Sequence, residues 1–394
     1  MKRIAVVSVA RSDYGLYLPL LRQISSRPDL TLQLIAAAAH LSPDHGLTVE
    51  RMIADGFEIA WRVAMGRTDQ SRLDAARAMA SGTRGFAEAF STLEPDLVVL
   101  LGDRIEMHAA AVAAVPLGIP LVHIHGGELT LGAIDDALRH SITKLSHLHF
   151  AATAESAHRI AQMGEEPWRV TFTGALSVDN ARLLPRPNGA TLRAKYGLAP
   201  GRTFVIVTLH PATLAGSDAG EQARTLVEAL SRPGHEVLCT HPNADPGAVL
   251  IDAELRKWSE ADTRVRYVAS LGPNDFIAAM ENAVAMVGNS SAGIIEARHY
   301  GLPVVNIGDR QAGRQRGGNV IDVPCSVDAI RDAVRSASDP SFRRTFEDEP
   351  NPYGDGRAAE RMIARLIEAP ARDVLLRKKF VDTPHAQAWE LSPF

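Results

Sequence analysis

The sequence predicts an α/β protein made of two doubly wound, Rossmann-like domains that face a cleft. The chain has 394 residues, more than one hydrophobic core usually supports, so two domains of ordinary size are expected. Apolar runs alternate with helical segments, a pattern typical of parallel sheets that helices cover on both faces. A stretch rich in proline and glycine interrupts this alternation near the middle of the chain, and the alternation then starts again.

Ten apolar runs are predicted to be strands. In the first half they span residues 4–9, 32–38, 97–101, 121–124 and 149–152, and in the second half 204–208, 236–240, 265–268, 285–287 and 304–306. Residues 181–202 predict a linker with one helical piece. We therefore expect an N-terminal domain over residues 1–182 and a C-terminal domain over residues 190–366. A polar helical tail within residues 369–394 is expected to pack back on the first domain.

Composition excludes several classes of function. The formal net charge of −4 provides no basic field for nucleic acid or for an anionic membrane. No stretch approaches the roughly 18 to 20 apolar residues that a membrane helix needs. Cys239 and Cys325 offer no disulfide framework and suit a reducing compartment. The apolar run after Met1-Lys2-Arg3 is interpreted as a buried strand rather than a signal peptide. We expect a soluble, cytoplasmic protein.

Polar residues follow the predicted strands, where ligands of doubly wound folds bind. Loops gather polar residues in any α/β protein, but the excess of Arg, His, Asp and Glu is larger than that explanation needs. Residues 285–296 end a strand in Gly-Asn-Ser-Ser and begin a helix, so Ser290 and Ser291 could hold a phosphate at the helix N-terminus. Glu296 could accept hydrogen bonds from a ribose. The alternative is that Asn289 and the two serines only cap the helix.

Further side chains could complete a diphosphate site. Arg310, His210 and Arg11 are candidates, because a guanidinium group matches phosphate oxygens in a bidentate way. The sequence contains neither a Gly-x-x-x-x-Gly-Lys-Ser/Thr loop nor a Gly-x-Gly-x-x-Gly run after the first strand. It therefore supports neither triphosphate chemistry nor a nicotinamide cofactor.

The first half carries a set of proton-transfer candidates, namely Asp103, His125, Glu128 and Asp135. Carboxylates and histidines in a partly closed site acquire different pKa values, so that one site can supply both an acid and a base. A metal site is the competing interpretation, since His123-x-His125 with Glu128 and Asp103 could supply nitrogen and oxygen ligands. This motif is weak without family context.

The motifs together resemble the hydrolysing UDP-N-acetylglucosamine 2-epimerases of sialic-acid and legionaminic-acid biosynthesis. They are Arg-Ser-Asp-Tyr-Gly at 11–15, Gly-Asp-Arg at 102–104, His-Ile-His-Gly-Gly-Glu at 123–128, Ile-Asp-Asp at 134–136 with Arg-His-Ser-Ile-Thr-Lys at 139–144, His-Pro at 210–211, Gly-Asn-Ser-Ser-Ala-Gly at 288–293 and Gly-Asp-Arg-Gln at 308–311 with Gly-Arg at 313–314. Non-hydrolysing epimerases typically carry Gly-Asp-Thr and His-x-Glu-Ala-Gly instead. The resemblance implies a glycosyltransferase-B-type fold, with UDP bound mainly to the second domain.

The resemblance also implies a reaction and residue roles. UDP is eliminated to leave a glycal, water adds with inversion at C2, and neither a metal nor another cofactor takes part. Asp103 and Asp135 match the family's essential carboxylates, and Glu296 its ribose contact. UDP contacts are implied for Arg11, His210, Asn243, Ser290, Ser291 and Arg310, and sugar contacts for His40, Arg104, Arg139 and Asp179. Many members have Glu at the position of His125, so either His125 or Glu128 is expected to be the second acid/base.

Several alternatives stay open at this stage. The substrate could be UDP-N-acetylglucosamine, UDP-2,4-diacetamido-2,4,6-trideoxyglucose (UDP-N,N'-diacetylbacillosamine) or a GDP-linked analogue, because sequence does not show pocket shape. A glycosyltransferase, a metal-dependent hydrolase and a non-catalytic nucleotide-sugar sensor would share many of these features. A homodimer is expected by analogy with the family.

Overall fold

The computed structural model describes residues 1–66, 71–130, 134–211, 219–232, 234–243 and 247–382. Contacts between Cα atoms divide the described chain into two compact units. The first unit lies within Met1–Leu129, Ala133–Asn180 and Gly356–Phe394, and the second within Thr130–Gly132 and Ala181–Asp355. No helix in the described ranges is both long enough and apolar enough to cross a bilayer.

The first unit is built on a seven-stranded sheet in the order β3-β2-β1-β4-β5-β6-β7. The strand pairs are parallel, as between Ile4 of β1 and Leu97 of β4. The chain reverses its winding direction between β1 and β4, which is where doubly wound sheets bind ligands. The strands are β1 (Lys2–Ser8), β2 (Leu30–Ala37), β3 (Ile59–Val63), β4 (Leu97–Leu101), β5 (Leu121–Ile124), β6 (Leu148–Ala151) and β7 (Val170–Phe172).

Helices pack on both faces of this sheet because its central strands are apolar along their whole length. Every residue of β4 and β5 is buried, which is the pattern of a strand covered on two sides. Ser71 and Thr153 cap two of the helices by accepting a backbone N–H. The helices are α1 (Arg11–Ser25), α2 (Val49–Ala54), α3 (Arg72–Leu93), α4 (Ile105–Ala114), α5 (Ile134–Leu145), α6 (Ala154–Gln162), α7 (Leu176–Leu183), α15 (Ala358–Glu368) and α16 (Arg372–Leu376).

The second unit is built on a six-stranded parallel sheet in the order β10-β9-β8-β11-β12-β13. Its winding reverses between β8 and β11. The strands are β8 (Phe204–Thr208), β9 (Glu236–Thr240), β10 (Val265–Val268), β11 (Ala285–Gly288), β12 (Val304–Ile307) and β13 (Val320–Val323), and the helices are α8 (Gly189–Tyr196), α9 (Ala219–Leu230), α10 (Ala248–Ala261), α11 (Gly272–Asn282), α12 (Ser291–Ile295), α13 (Val327–Ser338) and α14 (Pro340–Phe346). Two apolar clusters form its core.

The predicted fold class is confirmed, but the ten predicted runs left out strands β3, β7 and β13. All three strands lie at the edges of their sheets, and most of their side chains are partly or fully exposed. An edge strand has a neighbour on one side only, so its sequence loses the continuous apolar run that marks a central strand.

The end of the second domain differs from the predicted boundary at residue 366. Helix α15 belongs to the first unit, because its apolar face, which includes Met362 and Leu366, joins that unit's core. Leu375 of α16 is buried in the same core. Residues 383–394 of the predicted tail lie outside the described part of the chain, so its packing on the first domain stays a prediction.

Gly288 ends β11 at a point where only glycine fits. Its φ is +139°, and an added Cβ would lie 1.9 Å from the carbonyl oxygen of Thr208 on the neighbouring strand. A side chain here would push apart the two strands at the switch point of the second sheet. By contrast, Gly15 lies in the interior of α1 and has no atom within 4 Å of an added Cβ.

We therefore expect opposite effects from two glycine-to-alanine substitutions. Gly288→Ala should lower the melting temperature, because φ is strained and the Cβ overlaps a backbone atom. Gly15→Ala should stabilise α1 by up to about 1 kcal/mol, since alanine has the better helix propensity. Differential scanning calorimetry of both variants checks this pair. An unchanged melting temperature for Gly288→Ala would contradict the close approach of the two strands.

Candidate active site

Arg139 is the centre of a polar cluster at the carboxyl edge of the first sheet. Its guanidinium group is almost fully buried and donates to the carboxylate of Asp103, which lies just after β4. It also donates to the Asp136 carboxylate at 2.9 Å and to the carbonyl oxygen of Glu128 at 2.9 Å. The structure thus brings Asp103, the loop after β5 and helix α5 together around one cation.

Asp135 occupies the first turn of α5 and is half-buried. Burial raises the pKa of its carboxyl group above the usual value, and the charge of Arg104 partly opposes that effect. The neighbouring carboxylate of Asp136 raises the pKa further. A raised pKa brings a carboxylic acid closer to the range in which it can both give and take a proton near neutral pH.

His125 and Glu128 form a close pair in the loop after β5. Nδ1 of His125 lies 2.9 Å from Oε1 of Glu128, and both side chains are largely buried. His125 has a φ of +64°, which is unusual for a residue with a side chain and is a feature often found at functional sites. Arg159 of α6 donates to the carbonyl oxygen of Gly127 at 2.5 Å and so holds the loop between the two residues.

His123, a candidate metal ligand in the sequence, has both ring nitrogens hydrogen-bonded inside the first unit. Nε2 bonds the carbonyl oxygen of Gly102 at 2.8 Å, and Nδ1 bonds the hydroxyl of Thr143 at 3.1 Å. Burial lowers the pKa of His123 to about 3, so the ring is neutral. Among the described residues, no group of three or more His, Cys, Asp or Glu side chains is placed to hold a metal ion.

Two residues that are predicted to contact the sugar, His40 and Asp179, form hydrogen bonds within the protein. His40 is fully buried, and its ring nitrogens bond the hydroxyls of Ser8 at 2.9 Å and Thr48 at 2.7 Å. The carboxylate of Asp179 accepts the backbone N–H groups of Ala358 and Ala359, at 2.8 and 2.7 Å, and so caps α15. A direct contact with a sugar would have to compete with these bonds. The remaining sugar-side residue, Arg104, is exposed at the start of α4.

In the second unit, the side chain of Asn289 ties together the ends of β8 and β11. Its amide accepts from the N–H of His210 at 2.8 Å and donates to the carbonyl oxygen of the same residue at 2.8 Å. The ring of His210 in turn accepts the backbone N–H of Asn243 at 3.2 Å. The carbonyl oxygen of Asn289 accepts from Arg310 at 3.2 Å and from Gln311 at 2.9 Å.

This network connects four strand ends and includes three of the predicted UDP contacts of the second unit, His210, Asn243 and Arg310. Sequence reasoning assigned Asn289 a capping role at most and gave Gln311 none, although both are nearly fully buried. The sequence feature that could have identified Asn289 is its position between Gly288 and the two serines. Arg11, the remaining predicted UDP contact, is an exposed residue at the start of α1 in the first unit.

Helix α12 is only slightly longer than one turn. It spans Ser291–Ile295, and a 3₁₀ turn over Ala297–Tyr300 follows it. Oγ of Ser290 accepts the N–H of Ala292 at 3.4 Å, so the capping interpretation holds for this serine. One helical turn carries only a small dipole, so an anion at this turn would depend mostly on side chains for its attraction.

Glu296 lies at the end of α12 in an environment that disfavours its charged form. The side chain keeps some solvent exposure, but the surrounding protein is dense enough to raise its pKa to about 7 by desolvation. A carboxylate that accepts two hydroxyl hydrogens from a ribose would regain the stabilisation that desolvation removes.

The two α/β units, each built on a parallel sheet, have the glycosyltransferase-B-type fold. The chain belongs to the UDP-N-acetylglucosamine 2-epimerase family, which it matches over residues 22–367. The family predicted from the motifs is therefore confirmed.

Curated relatives share the whole length of the chain. A protein of Legionella pneumophila named UDP-N,N'-diacetylbacillosamine 2-epimerase (hydrolyzing) is 35% identical, with 96% of this chain and 99% of the relative covered. The polysialic acid biosynthesis protein P7 of Escherichia coli is 35% identical, with 98% of each chain covered. A GDP/UDP-N,N'-diacetylbacillosamine 2-epimerase (hydrolyzing) of Campylobacter jejuni is 34% identical, with 97% of this chain and 99% of the relative covered.

Solved structures confirm the fold. A UDP-GlcNAc 2-epimerase from Neisseria meningitidis, bound to UDP-GlcNAc, superposes with a TM-score of 0.77 at 17% identity, covering 93% of this chain and 100% of the other. The calicheamicin glycosyltransferase CalG4 superposes with a TM-score of 0.58 at 17% identity, covering 94% and 100%.

The raised pKa of Glu296 predicts how one substitution changes stability with pH. The folded protein binds this proton more tightly than the unfolded chain, whose glutamate has a pKa near 4.5. The contribution of Glu296 to stability is therefore present below about pH 4.5 and is lost as the pH rises to about 7. Glu296→Gln has no titrating carboxyl group at this position. Its melting temperature should therefore rise relative to that of the wild type as the pH increases across this range.

Thermal unfolding of ligand-free wild type and Glu296→Gln, measured side by side from pH 5 to pH 9, checks this expectation. Both proteins contain the same other titrating groups, so the contributions of those groups cancel in the difference between the two melting temperatures. A constant difference in melting temperature across the range would show that the carboxyl group has no raised pKa.

Proposed function

We propose that the protein is a hydrolysing nucleotide-sugar 2-epimerase that converts UDP-N-acetylglucosamine and water to N-acetylmannosamine and UDP. The observation that carries this proposal is the pairing of Asp103 with buried Arg139 on the same helix that bears Asp135. In a chain of this family, that arrangement supplies a fixed carboxylate and a second carboxyl group of raised pKa.

The reaction needs two proton transfers at C2 and one leaving group. In the first step a base removes the C2 proton, the C1–O bond to the diphosphate breaks, and UDP leaves with the bonding electrons as a C1–C2 double bond forms. In the second step an acid delivers a proton to the opposite face of C2, water adds its hydroxyl to C1, and a base takes the remaining proton of that water. General acid–base groups typically contribute about 10²- to 10⁴-fold each to such steps.

The residues of the first unit are proposed to act on the sugar. Asp103 is held in a fixed orientation beside a positive charge, which suits a carboxylate that accepts a proton. Asp135 suits the complementary role of proton donor because its pKa is raised. Either His125 or Glu128 is the second acid/base, and Arg139 fixes the geometry of the group. Arg104, His40 and Asp179 stay predicted sugar contacts.

The residues of the second unit are proposed to bind UDP. Ser290, Ser291 and Arg310 would contact the diphosphate, and the charge on Arg310 would stabilise the leaving group. Glu296 would accept hydrogen bonds from the ribose. His210 and Asn243 would complete the nucleotide site in the network that Asn289 anchors. Arg11 of the first unit stays a predicted diphosphate contact.

The diacetamido sugar is the second candidate substrate, and the names of two relatives favour it. The Legionella and Campylobacter relatives are named for N,N'-diacetylbacillosamine nucleotides. We therefore propose a place in nonulosonic acid synthesis, of the sialic- or legionaminic-acid type. Comparing kcat/KM for UDP-N-acetylglucosamine, UDP-N,N'-diacetylbacillosamine and its GDP analogue identifies the sugar and the nucleotide.

We also propose that the protein acts in the cytoplasm, and the two cysteines support this. Cys239 is buried and Cys325 exposed, and both are free thiols. Such thiols suit a reducing compartment. The homodimer stays a prediction of the family resemblance, which light scattering of the purified protein checks.

Measuring UDP release from the sugar nucleotide alone separates the proposed activity from its rivals. A glycosyltransferase would need an acceptor, so a rate independent of added acceptors contradicts transfer. A metal-dependent hydrolase would lose activity after treatment with a chelator. A sensor would bind the nucleotide sugar and release no UDP.

Asp103 and Asp136 provide a matched pair of substitutions, because both carboxylates contact Arg139. Asp103→Asn should lower kcat for UDP release by at least about 100-fold, since it removes a proton-transfer group. Its affinity for UDP should stay within about threefold of wild type, because no nucleotide contact changes. Asp136→Asn should retain most of the activity, as that carboxylate is proposed only to form a salt bridge.

A coupled assay for UDP and isothermal titration with UDP provide the two measurements. Full activity of Asp103→Asn would remove this carboxylate from the mechanism. Equal losses of kcat in Asp103→Asn and Asp136→Asn would show that the pairing of each carboxylate with Arg139, rather than proton transfer, accounts for the lower rate.

A further inference from the structure

His123 is a buried side chain to which the proposed mechanism assigns no role, yet it contacts the segments that carry the mechanism. It lies in β5 with no solvent exposure. Its Nε2 bonds the carbonyl oxygen of Gly102, the residue just before Asp103. Its Nδ1 bonds the hydroxyl of Thr143, in the same helix as Arg139. The ring therefore connects the loop after β4 to helix α5.

The hydrogen-bond partners determine which ring nitrogen of His123 carries the proton. A carbonyl oxygen can only accept, so Nε2 must be the donor towards Gly102. The ring is neutral because burial lowers its pKa to about 3, and Nδ1 is then an acceptor. The hydroxyl of Thr143 must donate to Nδ1. Both bonds thus have a fixed direction.

The loop after β5 packs against the same hydrogen bond. A Cβ added to Gly126 would lie 2.9 Å from Nδ1 of His123 and 2.9 Å from Oγ1 of Thr143. Gly126 lies between His125 and the residues that lead to Glu128, so this loop is in direct contact with the ring of His123. The three segments that carry the proposed acid/base groups therefore meet at one neutral histidine.

We propose that His123 is a positioning residue, whose ring fixes the loop of Asp103 against helix α5 in the geometry that proton transfer at C2 requires. This inference rests on the proposed 2-epimerase function. Losing the bond to Gly102 would release the backbone beside Asp103. A displacement of about 1 Å in a reacting group can lower a rate by about 100-fold.

Two substitutions of His123 separate positioning from packing. Gln can still direct an amide N–H towards the Gly102 carbonyl, whereas Leu fills the space without a donor. His123→Leu should lower kcat by about 100-fold, while KM and the affinity for UDP stay within about threefold. His123→Gln should recover at least a tenth of the wild-type kcat, again as an order-of-magnitude expectation.

His149 supplies the matched control. It pairs with His123 in the sheet register of β5 and β6 and is equally buried, but its Nε2 bonds Glu165 at 3.1 Å. His149→Leu should lower the melting temperature and leave kcat per UDP-binding site close to wild type. If His149→Leu loses as much kcat as His123→Leu, or if His123→Leu keeps wild-type kcat, the positioning role is overturned.

Nitrogen-15 NMR of histidine-labelled, ligand-free protein tests the assignment without turnover. The signals that disappear in His123→Gln should be those of a neutral ring with the proton on Nε2 from pH 5 to pH 9. Thr143→Val should shift the Nδ1 signal, whereas Thr143→Ser should restore it. A charged ring, or a proton on Nδ1, would overturn the proposal even in an active enzyme.

The two proposals fail in different ways. No UDP release by the wild type from any of the three nucleotide sugars would overturn the proposed function and, with it, this role of His123. An active wild type with an equally active His123→Leu would overturn the role of His123 alone.

Discussion

A buried guanidinium group needs partners for its charge and for its N–H donors, and Arg139 finds them in three different parts of the first unit. Asp103 follows β4, the Glu128 carbonyl belongs to the loop after β5, and Asp136 lies one turn before Arg139 on α5. Because each partner would be costly to lose, these segments must keep one mutual arrangement. The position of Asp103 and of the first turn of α5, where Asp135 lies, therefore depends on satisfying this buried cation.

In the second unit, neutral groups rather than a buried charge fix the loops at the edge of the sheet. Asn289 pairs both sides of its amide with the backbone of His210, and Gly288 allows the two strands to approach closely enough for that pairing. The clamp itself is neutral, so it adds no buried charge beside Arg310. The difference fits the proposed division of work, with proton transfer in the first unit and diphosphate binding in the second.

The sequence predicted the features that depend on local pattern and missed those that depend on distant partners. Continuous apolar runs identified the central strands, whereas the half-exposed edge strands β3, β7 and β13 have no such run. Asp179 shows the second limit: its partners are the N–H groups of Ala358 and Ala359, about 180 residues away along the chain. No spacing rule connects a carboxylate to a helix that far along the sequence, so this cap could not be predicted, and the sugar contact that the family resemblance implies for Asp179 stays a prediction. The family resemblance identified Asp103 and Arg139, but only the structure shows that they contact each other.

The central claim is that carboxyl groups of this chain move a proton at C2 while UDP departs. Proton NMR of the purified, chelator-treated protein with UDP-N-acetylglucosamine in D₂O tests it most directly, with the diacetamido nucleotide as the second substrate. The account predicts that free UDP appears together with the 2-epimeric free sugar carrying deuterium at C2, because the proton delivered in the second step comes from solvent. Release of UDP with the original proton retained at C2 would indicate simple hydrolysis and would contradict the account.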